Sequence, residues 1–174
     1  LVFFLFTVTA LLITPFVRLY TRGIVDTEYN QPLFGFLLVL SEALYLVKLP
    51  HLNLAYSANK FKEITVPAYI EATLNIVISV ALVKKLGLIG VTIGTIVGMT
   101  YRMVFHVYYT SKIVPGRAQR IFYRKLFLFA VGAGAGFALC YKLLPLQNVT
   151  VGSWIVHAIF YCVVIGSILL AISV

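Results

Sequence analysis

The stretch from Tyr69 to Arg102, YIEATLNIVISVALVKKLGLIGVTIGTIVGMTYR, decides the fold. Two apolar runs meet at Lys84, Lys85, Leu86 and Gly87. At about 1.5 Å per residue, each run is long enough to cross a hydrocarbon core of about 30 Å. The stretch therefore reads as a helical hairpin inside a membrane. In its first arm Glu71, Asn75 and Ser79 recur every four residues, and in its second Gly87, Gly90, Gly94 and Gly98 nearly do the same. One arm carries a polar stripe, the other a glycine stripe. A carboxylate or guanidinium at mid-membrane costs about 2.5–3.5 kcal/mol on insertion scales unless it is paired or hydrated, so Glu71 and Arg102 each raise a question of function.

Working outward, the whole chain fits this setting. Of its 174 residues 61% are hydrophobic and 11% charged, with mean hydropathy +1.02, far from the mix of soluble domains. The net charge of +9 does not point to nucleic acid, because the Lys and Arg residues lie at the connections between apolar spans. It reports membrane topology and attraction to anionic lipid. Cys140 and Cys162 fall in or beside apolar runs and read as small buried hydrophobes, not as a disulfide. His51, His106 and His157 have no metal-site spacing, and no phosphate loop, nucleophile elbow or His-Glu-x-x-His pattern occurs. The expectation is a protein that is not an enzyme and uses no metal or cofactor.

The apolar pattern predicts an all-α, polytopic membrane helix bundle of about six transmembrane helices in one domain over 1–174, at approximately 1–17, 33–56, 64–83, 86–110, 126–144 and 154–174. Pro32 and Pro67 suit first turns, whereas Pro50 is expected to bend or interrupt the second helix. The first loop, 18–32, holds Asp26 and Glu28. The segment 111–125 carries five Lys or Arg, Arg117 among them, and no acid, which places it inside the cell. Alternation then gives seven basic residues inside against five outside. The glycines of GAGAG, 132–136, read as packing positions, and Trp154 as an interfacial anchor. The triplet Asn148, Val149, Thr150 is a glycosylation sequon of the kind chance often produces. Leu1 stands directly inside an apolar run with no basic segment before it, which fits a fragment of a longer chain better than a signal peptide.

Five residues stand out as candidate cavity lining: Arg102, Lys48, Glu71, Glu42 and Asn75. A tight hairpin turning at 85–87 sets Glu71 opposite residues 100–102, so Glu71 and Arg102 are expected to pair. On the fourth helix the glycines fall within about 40° of one line, while Thr92, Thr95, Met99, Arg102 and His106 cluster about 120° away. The glycine face is expected to pack against the third or the first helix, and the other face to meet the third. The pair has two readings: mutual neutralisation, or a hydrated cavity in which Arg102 presents its planar fork to a phosphate. On the second helix Glu42, Tyr45, Leu49, Asn53 and Tyr56 share a side, with Lys48 about 120° from Glu42. Glu42 and Lys48 either line the cavity or pair with helices outside this chain.

The segment EATLNIVISVALVKKLGLIGVTIGTIVGMTYR, 71–102, resembles polysaccharide biosynthesis proteins, the flippase branch of the multidrug/oligosaccharidyl-lipid/polysaccharide exporter superfamily. TPFVRLYTRGIVDTEYNQP, 14–32, is similar to that family's helix end and external loop, and NKFKEITVPAYIEATLN, 59–75, to its link into the next helix. The resemblance spans about 1–112. It implies the C-terminal part of a MATE-like 14-helix transporter, with 1–110 in the second lobe and 126–174 as two additional helices. It also implies alternating access in the cytoplasmic (inner) membrane, with a lipid-linked glycan as substrate. Membrane lipids and the remaining N-terminal portion would be partners, and nucleic acid would not. The resemblance assigns no individual role to Arg102 or Lys48. The alternatives are a cation-coupled drug or small-molecule antiporter of the same superfamily, with Glu42 or Glu71 holding a proton or sodium ion, and a non-transporting membrane scaffold.

Overall fold

The computed structural model describes residues 1–24, 29–114, 119–143 and 149–173, and among them every regular element is helical. The order is α1 (Val2–Tyr20), α2 (Pro32–Ser57), α3 (Phe61–Leu86), α4 (Leu88–Ile113), α5 (Gln119–Leu143) and α6 (Val151–Ser173). All six are long and apolar enough to cross a membrane, so the chain is a multi-pass membrane protein. Burial agrees: on α3 only Ile64 and Pro67 are buried, while Ile76, Val77 and Val80 are at least 60% exposed. Water would not tolerate such a surface; lipid or further apolar protein would.

Three expectations need correction. The fifth helix begins at Gln119 rather than near 126, because hydropathy marks where the chain leaves hydrocarbon and not where its hydrogen-bond ladder ends. The third begins at Phe61, which leaves Pro67 well inside the helix instead of in its first turn. The second runs unbroken from Pro32 to Ser57 through Pro50, which forfeits one N–H donor without ending the helix. Asp26, Glu28, Arg117 and the sequon's Asn148 lie outside the described residues.

The chain divides into two compact units, the second formed by Leu37–Phe122. Its centre is the α3–α4 hairpin. Gly87 turns the chain at φ +57° and ψ −133°, a conformation open to glycine alone, and its N–H donates to the Val83 carbonyl at 2.9 Å. Beyond the turn the glycine stripe of α4 lies on the polar stripe of α3. A Cβ at Gly94 would come within 2.8 Å of the Asn75 carbonyl oxygen and 3.0 Å of the Ser79 nitrogen; one at Gly98 would stand 3.0 Å from the Glu71 carbonyl oxygen. The glycine face thus packs against α3, one of its two expected neighbours, and Thr95 and Arg102 of the adjoining face also reach α3, at Asn75 and Glu71. Missing side chains let the backbones approach, and hydroxyls stitch them together: Ser79 Oγ donates to Val91 O at 3.3 Å and to Asn75 Oδ1 at 3.0 Å. At the opposite end α2 packs through Leu52 and Ala55 on Ile64, beside Leu49, Tyr109 and Ile113. Asn59, at φ 58°, makes the short link into α3, a left-handed position Asn tolerates.

The other unit comprises Leu1–Phe36 and Tyr123–Val174. Val8, Leu11 and Leu12 of α1 meet Cys140 of α5 and Tyr161, Ile165 and Leu169 of α6. Of the three GAGAG glycines, Gly132 lies against Leu169 and Ile172 and Gly136 against Ile165 and Ile168, while Gly134 faces open space. The Trp154 indole N–H donates to the Leu12 carbonyl at 3.3 Å, and its ring lies 5.9 Å from Phe16. Both cysteines are free thiols, with Cys140 buried. A largely apolar groove of about 590 Å³, lined by Leu11, Leu33, Phe36, Phe137 and Tyr141 among others, carries Arg18 in its wall.

The two glycine environments give a direct comparison. Gly94→Ala has to separate two backbones and should destabilise the protein by about 1–3 kcal/mol. Gly134→Ala meets nothing and should be neutral or stabilising by up to about 1 kcal/mol. Thermal unfolding in detergent checks both; equal melting temperatures for the two variants would contradict the assigned helix contact.

Candidate functional site

Three charged side chains converge inside the second unit, one from each of α2, α3 and α4. Glu71 is shared: its Oε1 lies 3.3 Å from the Lys48 ammonium, and its Oε2 is bound by Arg102 Nη1. The Glu71–Arg102 pair expected from the hairpin register is therefore present. Lys48 corrects the expectation of a partner outside the chain, because Glu71 takes its ammonium. Its side chain is 2% exposed, and its ammonium also stands 4.7 Å from the Tyr45 ring centre and 3.5 Å from Met99 Sδ. Helical spacing could not reveal this, since the pairing depends on how α2 is rotated against α3.

The local sequence explains the geometry. Arg102 follows Gly98 by one turn on the face that lies against α3, and the close approach at Gly98 brings α3's Glu71 alongside. Arg102 is steadied a second time within its own helix, where Nε–H donates to Nε2 of His106 at 3.3 Å. That bond requires His106 Nε2 to accept, which leaves the neutral ring's proton on Nδ1. Nδ1 is buried and has no hydrogen-bond partner among the described residues. His106 is fully buried and its carbonyl accepts from the Thr110 hydroxyl at 2.8 Å; that hydroxyl is also 2.8 Å from His51 Nδ1. The sequence places His106 on one face with Arg102, and the spacing of four between them is the signal of their bond.

Two cations share one carboxylate, so the cluster keeps one net positive charge in a membrane-spanning bundle. Arg102 is the member that can use it. Its Nε and one Nη are engaged, while Nη2 bonds nothing among the described residues. The side chain lines a cavity of about 460 Å³ together with Tyr56, Phe61, Thr65 and Tyr69. Phe61, Thr65 and Tyr69 lie in the first turns of α3 and Tyr56 at the end of α2, so the cavity sits by the α2–α3 link. Sequence reading missed these lining residues, because aromatic residues near a helix end look alike whether they face lipid or a cavity.

The remaining two candidates are not part of this cluster. Asn75 lies one turn beyond Glu71, and its Oδ1 accepts from Ser79 Oγ at 3.0 Å and Thr95 Oγ1 at 3.5 Å, so it helps close the hairpin. Glu42 is exposed on α2 and forms no ion pair among the described residues. No cluster of His, Cys, Asp or Glu suited to a metal occurs among the described residues.

The shared carboxylate predicts an asymmetry. Glu71→Gln leaves two cations without a counter-charge and should cost about 3–5 kcal/mol of stability, as for other broken buried pairs. Lys48→Met removes one cation, keeps the Glu71–Arg102 pair and fills the same space, so it should cost clearly less. Thermal unfolding of the two variants measures this; a Glu71→Gln protein that melts like the parent would contradict it.

Comparison of the chain with protein-family models, with curated proteins and with solved structures finds no match.

Proposed function

We propose that the chain forms helices of a membrane transporter that moves lipid-linked oligosaccharide or polysaccharide precursors across the cytoplasmic membrane by alternating access. The observation that carries this reading is the Arg102 fork, held by Glu71 and His106 and opening on a cavity with aromatic and hydroxyl walls. With Nε and Nη1 engaged, the remaining Nη2 can donate to a phosphate or pyrophosphate oxygen, and the net positive charge offsets the anion's desolvation. The hydroxyls of Tyr56, Thr65 and Tyr69 are suited to a sugar's hydroxyls. The positive-inside pattern puts the α2–α3 link at the cytoplasmic face, where such precursors are made. The resemblance of 71–102 to the flippase branch supports the same substrate class.

A second reading, cation-coupled exchange of a small molecule, is favoured by a different observation. Asn75 Oδ1, Ser79 Oγ, Thr95 Oγ1 and the Val91 carbonyl gather with separations of 3.0–3.5 Å, an all-oxygen set of the kind hard cations take. Sodium-dependent transport abolished by Ser79→Ala would favour it.

Arg102→Lys tests the main reading, since it keeps the charge and loses the fork. Export of lipid-linked glycan in cells relying on the variant should fall by about tenfold or more, the scale of one charge-assisted hydrogen bond. The amount of folded protein should change less than about twofold. Full export by the lysine variant contradicts the reading. Loss of folded protein in step with export also contradicts it, and assigns the pair to structure alone.

A further inference from the structure

The unit formed by Leu1–Phe36 and Tyr123–Val174 holds the groove of about 590 Å³, which has no residue in common with the Arg102 cluster. On α1 its wall includes Ala10, Leu11, Thr14 and Arg18, whose spacings of three and four put them on one face. Opposite stand Phe36 of α2 and Phe137 of α5, edge to face with ring centres 5.9 Å apart. From Arg18 to Ala10 the groove runs about 12 Å along the axis of α1 at about 1.5 Å per residue. One leaflet of a hydrocarbon core of about 30 Å is about 15 Å deep, so a groove of this length lies within a single leaflet. Its charged end is Arg18 in the last turn of α1, at the level where lipid headgroups begin.

Arg18 is held but not neutralised. Its Nε–H donates to Asn30 Oδ1 at 3.0 Å, which ties the end of α1 to the segment before α2. Both Nη groups are left without a hydrogen bond among the described residues, and Arg18 forms no ion pair among them. Arg22 follows four residues later, exposed and likewise without an ion pair among the described residues. The end of α1 thus carries two cations, one of them in the wall of an apolar groove. An occupant has to be apolar over about one leaflet and anionic at its interfacial end. A fatty acyl chain below a phosphodiester meets both conditions, and two phosphate oxygens match the paired Nη donors. A zwitterionic lipid brings its own cation, and an apolar helix brings no anion to Arg18.

We propose that this groove binds an anionic phospholipid of the leaflet at the α1–α2 connection. One acyl chain lies along Leu11, Phe36 and Phe137, and the phosphate sits on the Nη groups of Arg18. The lipid fills the space among α1, α5 and the first turns of α2. Neither the Arg102 cavity nor the transport reading is needed for it.

Native mass spectrometry of the purified full chain, released from nanodiscs of equal parts phosphatidylglycerol and phosphatidylcholine with the same acyl chains, counts what stays bound. The parent should retain phosphatidylglycerol in at least about tenfold preference, the scale of a charge-assisted hydrogen bond. Arg18→Gln should abolish that preference, whereas Lys85→Gln, which removes a cation at the α3–α4 turn, should keep it. Millimolar glycerol 1-phosphate, a headgroup without a chain, should displace nothing. Thermal unfolding in detergent gives a second readout: phosphatidylglycerol should raise the melting temperature of the parent and not that of Arg18→Gln. A parent without preference, or an Arg18→Gln protein that keeps it, overturns the site. Equal loss in Lys85→Gln also overturns it, because the attraction is then that of the overall charge. Displacement by glycerol 1-phosphate overturns the groove's part, and tighter retention of an added polyprenyl phosphate overturns the phospholipid assignment. Each of these results is separate from the export test of Arg102→Lys.

Discussion

A carboxylate inside a membrane bundle has to be neutralised, and the second unit is arranged around the way Glu71 is. Its two oxygens are given to different helices, Lys48 of α2 on one side and Arg102 of α4 on the other. One residue of α3 thereby fixes the rotation of both neighbours. This requires α4 to approach α3 closely enough for Arg102 to reach, and the glycines at 90, 94 and 98 allow that approach. It also requires Arg102 to keep its orientation, which His106 provides from one turn further along α4. Glycine stripe, ion cluster and histidine are thus successive parts of one arrangement.

That arrangement sets two cations against one carboxylate. A bundle that needed only neutrality would be served by one cation for one carboxylate, and buried ion pairs are in any case weak contributors to net stability. Nη2 of Arg102 bonds nothing among the described residues, and the side chain lines a cavity.

Much of this was legible in the sequence, for identifiable reasons. Six spans followed from hydropathy, and the Glu71–Arg102 pair followed from the register of a hairpin whose turn Gly87 marks. The common side of Glu42, Tyr45, Leu49, Asn53 and Tyr56 follows from helical spacing alone. Interhelical rotation is not legible in spacing, and the Lys48–Glu71 contact depends on it. Helix ends were misplaced at α3 and α5, because polar turns such as Gln119–Lys125 continue the hydrogen-bond ladder outside the apolar run.

The central claim is that Arg102, positioned by Glu71 and His106, binds an anionic group. Calorimetric titration of the purified protein with inorganic pyrophosphate tests it most directly, comparing the parent with Arg102→Gln. The account predicts saturable binding by the parent and an affinity at least about tenfold lower without the guanidinium, the scale of one charge-assisted hydrogen bond. Equal affinity in the two proteins would contradict it.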